Sequence, residues 1–102
     1  MLDGIPEDLP ALYTAYQVSA KAARVGFDWP DLDGIREKLL EEFTELRSAV
    51  EEKDQEQIKE EVGDMLFAAV NVARFLDIDP ETALRRANSK SRRRLSISRA
   101  AG

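Results

Sequence analysis

The sequence predicts an all-α fold: four helices packed as an antiparallel bundle. Apolar residues recur at spacings of three and four in one segment after another, as a buried helix face requires. No segment reads convincingly as a strand. The breaks between periodic segments are a few residues long, which makes successive helices antiparallel neighbours.

The first helix is expected from about Leu9 to Val25, after IPEDLP, with Pro10 tolerated in its opening turn and Gly26 as its stop. GFDWPDLDG, residues 26–34, is a loop rich in turn residues that carries two large aromatics. The second helix starts at Leu32 or Gly34 and runs to Lys53, with Ile35, Leu39, Phe43, Leu46 and Val50 as its apolar stripe. Asp54 can cap the third helix, with Gln57 in the capping-box position. Ile58, Val62, Met65, Leu66, Ala69, Ala73 and Leu76 form the third stripe. The second half of that helix is apolar nearly all round, which makes it the expected central helix. Asp79 followed by Pro80 begins a fourth helix, expected to reach about Ile97 and to fray in the tail SRAAG.

The 102 residues make one small domain, residues 1–102, with a thin core that a partner chain or a bound ion would reinforce. A net charge of -5 and a pI near 4.8 argue against a general nucleic-acid binder. The absence of cysteine and histidine removes disulfides, Cys/His zinc sites, thiol nucleophiles and serine–histidine triads. Chemistry here would have to run on carboxylates, lysine, arginine, tyrosine, hydroxyls or a bound metal. Oxygen ligands favour hard divalent cations. No apolar run reaches the ~18 residues that would span a bilayer. The opening MLDGIPEDLP lacks a basic region and an apolar signal core, so the expected compartment is the cytoplasm.

Most of the acids read as a solvated face, Glu51, Glu52, Glu56 and Glu60 among them. Glu42 and Glu61 differ. At about 100° per residue, Glu42 falls in the angular range of Ile35, Leu39 and Leu46. Glu61 falls just beside Ile58, Met65 and Val72. Glu45 and Asp64 lie one turn further along the same edges, and Glu41 on a more open side. Burying ionised carboxylates costs several kcal/mol unless something neutralises them. A divalent cation would do so, with Glu42 and Glu45 offered by one helix and Glu61 and Asp64 by the other. The competing reading is ion pairing with Lys38, Arg47 or Lys59. Gly63, inside the third helix, points to close approach by a neighbour or to a merely tolerated glycine.

These residues resemble a known family. EEFTE (41–45) followed by EVGD (61–64) is similar to the EExxE…ExxD signature of the MazG nucleoside triphosphate pyrophosphohydrolases. GIPEDLPAL, KAARVGFDWPD, GDMLFAAVNVARFL and IDPETALRRANSK agree with that family in order, over nearly the whole chain. The likeness is to the catalytic C-terminal domain of the two-domain bacterial members.

The resemblance implies an all-α homodimer, with a tetramer as the alternative. It also implies Mg²⁺-dependent cleavage of (d)NTP to (d)NMP and pyrophosphate in nucleotide-pool housekeeping, with Mn²⁺ as a substitute ion. Carried over by position, Glu42, Glu45, Glu61 and Asp64 would hold the metal, and Glu41 and Glu45 would act in catalysis. Lys38, Lys90 and Arg94 would face the phosphates. Lys21, Trp29, Asn71 and Asn88 fall in matching segments and complete the expected substrate contacts. Many members read KxQ in the first helix, where this chain has Gln17 and Ser19, and KF and RF in the last, where it has Ser91 and Leu95.

Seven of the 15 basic residues fall between Arg85 and Arg99, and no acid follows Glu81. They read as a polyphosphate-facing helix or as ordinary solubility; a nucleic-acid contact lacks interleaved aromatics. Phe27 and Trp29 either stack on a base or plug a bundle end. Asn71 either meets a base edge or bridges helices. The rival to an enzyme is a catalytically weak module that keeps the fold and the metal cluster and binds nucleotide or a partner protein.

Overall fold

The computed structural model describes residues 10–101, with side chains to residue 96. The segment before Pro10, including the expected first helical residue Leu9, lies outside the described residues. Four helices and no strand form among the described residues: α1 (Ala11–Arg24), α2 (Leu32–Glu52), α3 (Gln55–Phe75) and α4 (Pro80–Ala101).

The ends follow from local chemistry. Asp31 Oδ1 accepts the Gly34 amide at 3.0 Å and Asp54 Oδ1 the Gln57 amide at 3.2 Å, which satisfies orphan donors at the starts of α2 and α3. At α4, Asp79 accepts from the Thr82 hydroxyl at 2.7 Å and from the Glu81 amide at 3.3 Å, with Pro80 as the first helical residue. The capping box at Asp54 is half made. The Gln57 amide group turns away from Asp54 and donates to Glu61 Oε1 at 2.7 Å.

Three helices end on one motif. After α1, Phe27 N–H bonds Ala22 O at 2.8 Å, with Gly26 at φ 93°. The same reach, from Asp54 to Ala49 and from Ile78 to Ala73, turns the chain after α2 and α3. There the left-handed residues are Lys53 (φ 58°) and Asp77 (φ 62°), where a side chain carries a cost that glycine avoids. α4 has no such stop among the described residues and continues to Ala101, past the expected end at Ile97.

α3 is the central helix, as its composition predicts. It packs most closely on α2, then on α1, and lightly on α4. α1 does not meet α2, and α4 touches α1 and α3 but not α2. The described chain is therefore an open arrangement around α3. Its radius of gyration is 16.5 Å, against about 13 Å for a compact domain of 100 residues. As far as Ser96, the apolar residues of α4 after Pro80 are Ala83, Leu84, Ala87 and Leu95, few and mostly small, and every residue from Glu81 to Ser96 is exposed.

The buried set is small: Ile35 and Ala49 on α2, Ala68 and Val70 on α3. The predicted stripes are only partly covered. Phe43 and Val50 on α2, and Val62, Leu66 and Leu76 on α3, are exposed in the single chain. Gly63 meets no neighbour either: a Cβ there would have nothing within 4 Å, so close approach is not its reason within this chain.

Candidate metal and phosphate site

The face that α2 turns toward α3 carries Ile35, Glu42 and Ala49 as its buried residues, one every seven positions. The opposing face of α3 carries Glu61 and Ala68. Two glutamates thus lie in the seam between the helices, Glu42 3% exposed and Glu61 4% exposed. Glu45, one turn on and open to solvent, completes a group whose carboxylate oxygens lie within 4.8 Å of one another.

Their partners are unequal. Lys38 Nζ approaches Glu42 Oε1 at 2.8 Å and Glu41 Oε1 at 3.8 Å. Among the described residues, Glu61 Oε1 receives the neutral Gln57 amide and no cation. The second oxygens, Glu42 Oε2 and Glu61 Oε2, are buried with no hydrogen-bond partner. The hydrogen bond from Lys38 holds the Glu42 carboxyl below its ordinary value and raises the lysine in turn. Burial, followed by proximity to Glu42 and Glu45, pushes Glu61 up to about 7, although the Gln57 bond pulls the other way.

This donor set fits a hard divalent cation. All the ligands are carboxylate oxygens, two of them buried and unpartnered, and the local negative charge exceeds what Lys38 can balance. Asp64 is exposed and stands beside this group, lining an adjoining cavity of about 260 Å³ with Lys38, Glu42 and Trp29. A larger apolar cavity of about 420 Å³ is lined by Phe27, Ser19 and Val18. Trp29, Phe67 and Asn71 line both.

Residues 32–96 match the MazG nucleotide pyrophosphohydrolase domain family. The chain belongs to the MazG family.

Among curated proteins it is similar to the nucleoside triphosphate pyrophosphohydrolase/pyrophosphatase MazG of Thermotoga maritima, 49% identical over 82 residues, covering 80% of this chain and 31% of that protein. It is similar to the nucleoside triphosphate pyrophosphohydrolase of Escherichia coli K12, 46% identical over 97 residues, covering 91% of this chain and 36% of that protein. The uncharacterized protein YabN of Bacillus subtilis is 53% identical over 97 residues, with 20% of its length covered. The chain thus spans about a third of the first two relatives and a fifth of the third.

Set against the MazG signature, the seam gathers Glu42, Glu45 and Glu61, with Asp64 and Lys38 at its edge. Glu41 is exposed on the outer side of Lys38. Lys59 pairs with Glu56 at 3.4 Å, away from the group. Lys21 is half-buried on α1, and Asn88, Lys90 and Arg94 are exposed on α4. None of these four lines either cavity beside the acids. Trp29 is half-buried and rests over Gly34, where a Cβ would lie 3.5 Å from its ring. Phe27 is 70% exposed.

Sequence reasoning missed four residues here. Asp28 and Arg74 form a two-pronged ion pair, 3.1 and 2.6 Å, that ties the loop after α1 to α3. Arg74, the one cation in the apolar second half of α3, was the available signal. Ser19 was visible only as a departure from the family pattern, and Gln57 only as a cap residue.

Proposed function

We propose that the chain is a metal-dependent nucleoside triphosphate pyrophosphohydrolase unit, converting (d)NTP to (d)NMP and pyrophosphate. The observation that carries this reading is the pair of unpartnered buried oxygens on Glu42 and Glu61, in one acidic group beside a cavity that Lys38 and Asp64 line. The names of the relatives agree with it.

Phosphoryl transfer asks a protein mainly for positioning and charge neutralisation. Glu42, Glu45, Glu61 and Asp64 would hold Mg²⁺, or Mn²⁺ in its place. The ion would neutralise the seam and polarise the phosphate oxygens. Water oxygen bonds to the α-phosphorus and the bridge to the β-phosphate breaks, releasing pyrophosphate. Glu45, with Glu41 at the open side, accepts the water's proton. Lys38 sits where it can turn from Glu42 toward the phosphates. The 420 Å³ cavity, with Phe27 and Trp29 at its wall, takes the base.

A homodimer belongs to this reading. Leu40, Phe43 and Val50 on α2, and Val62 and Leu66 on α3, are large apolar side chains left exposed in the single chain. A second copy would cover them. Lys90 and Arg94, which line neither cavity of their own chain, would then serve the partner's phosphates. Action in the cytoplasm on the nucleotide pool completes the proposal; no helix among the described residues is long and apolar enough to cross a membrane.

Product analysis with Mg²⁺ tests it. Equal amounts of monophosphate and pyrophosphate, with no orthophosphate, are expected, and Glu61→Gln should abolish both. Absence of turnover for every common NTP and dNTP at high enzyme would leave a nucleotide-binding module. Mixing Glu61→Gln with Lys90→Ala protein should restore part of the activity, because one site of the mixed dimer is intact.

A further inference from the structure

A chain of polar contacts ends at Asn71, in the wall between the two cavities. Ser19, on α1, is 4% exposed. Its hydroxyl accepts from Arg74 Nε at 2.8 Å and donates to Asn71 Oδ1. Arg74 is in turn held by both oxygens of Asp28. The partners at both ends set the direction of this chain. A guanidinium only donates, so Ser19 accepts from Arg74; Phe67 O accepts from Asn71 Nδ2, which leaves Asn71 Oδ1 for the Ser19 hydroxyl hydrogen. Asn71 must therefore present its carbonyl oxygen to α1, which fixes an amide orientation that would otherwise be open. Its Nδ2 faces the other way. One hydrogen reaches Phe67 O at 3.3 Å, and the second has no partner among the described residues.

Asn71 lines both the cavity at the acids and the aromatic one, as do Trp29 and Phe67. Given the nucleotide placement proposed above, on which this inference rests, the phosphates lie on one side of that wall and the base on the other. The atoms that must cross it are those of the sugar. We propose that Asn71 donates its remaining amide hydrogen to a sugar hydroxyl of the nucleotide, with Ser19 and the Arg74–Asp28 pair as positioning residues for that contact. Ser19 then acts through Asn71 and touches no substrate.

The test compares ribose, 2′-deoxy and 3′-deoxy forms of a non-hydrolysable α,β-methylene triphosphate by calorimetry, with inorganic triphosphate as a competitor lacking sugar and base. Wild-type protein should lose on the order of tenfold in affinity when the contacted hydroxyl is removed. Ser19→Ala and Asn71→Ala should weaken the ribose form by that factor and leave the corresponding deoxy form unchanged, so that discrimination disappears. Inorganic triphosphate should compete equally well in all three proteins. If both variants keep the wild-type ratio, whether every affinity falls together or none falls, the relay does not read the sugar. Indifference of the wild type to both hydroxyls overturns the idea without any variant. Pyrophosphate release is measured separately on the parent nucleotides. A protein that shows the binding pattern yet releases none would refute the enzyme and leave the relay standing.

Discussion

Lys38 places its ammonium 2.8 Å from one oxygen of Glu42, while Glu61, across the seam, receives an uncharged amide and, among the described residues, no cation. The two buried carboxylates therefore titrate apart: the cation holds Glu42 ionised, and Glu61, pushed up to about 7, is the one that takes a proton as pH falls.

The asymmetry sets a pH dependence for the metal-free protein. Glu61 goes from about 4.5 in the unfolded chain to about 7 in the fold, so the folded state binds more protons between those values. Stability in chelator should then fall as pH rises through that window. Glu42 acts with the opposite sign, contributing above its ordinary value and losing that contribution as pH falls below it. Thermal melts in EDTA from pH 4.5 to 8 check this, and Glu61→Gln should flatten the slope. A slope that survives Glu61→Gln would place its origin elsewhere.

Mg²⁺ or Mn²⁺ should raise the melting temperature by mass action, more at pH 8 than at pH 5.5, where protons compete for Glu61. Glu42→Gln and Glu61→Gln should each remove most of that rise. Equal metal-induced shifts in wild type and both variants would place the cation outside the seam.

Lys38→Met leaves a buried Glu42 without its cation. Because Lys38 is 40% exposed, the cost should be on the order of 1 kcal/mol, well short of that for a fully buried pair. Denaturant unfolding should show most of that loss in chelator and little of it at saturating metal.

Two backbone changes should stabilise the fold. Gly63→Ala adds a methyl group where nothing lies within 4 Å, and should gain about 1 kcal/mol from helix propensity. Lys53→Gly relieves a left-handed side chain at φ 58°, for a gain of similar order, ~1 kcal/mol. Unfolding midpoints read both. A loss at Gly63→Ala would show that a second chain approaches there.

The inward acids were legible because burial leaves an angular trace: Glu42 shares a helix face with Ile35, and that is where the structure puts it. The caps at Asp54 and Asp79 were legible for an equally local reason. The Ser19–Asn71 contact joins residues 52 apart, and nothing in the local spacing around either one encodes the other. Gln57 bonding Glu61 was hidden by a competing local pattern, since the same residue also fits a capping box. The looseness of α4 was hidden because start signals set where a helix begins and say nothing about what covers its sides.

Glu61, Asp64 and Asn71 all sit on α3, a single uninterrupted rod. At 1.5 Å per residue, Asp64 and Asn71 are about 10 Å apart along its axis. The helix thus works as a gauge, fixing the span between the acidic end and the amide whatever molecule arrives. One residue inserted between them would swing the two about 100° out of line, and no change of side chain at either position could bring them back into register.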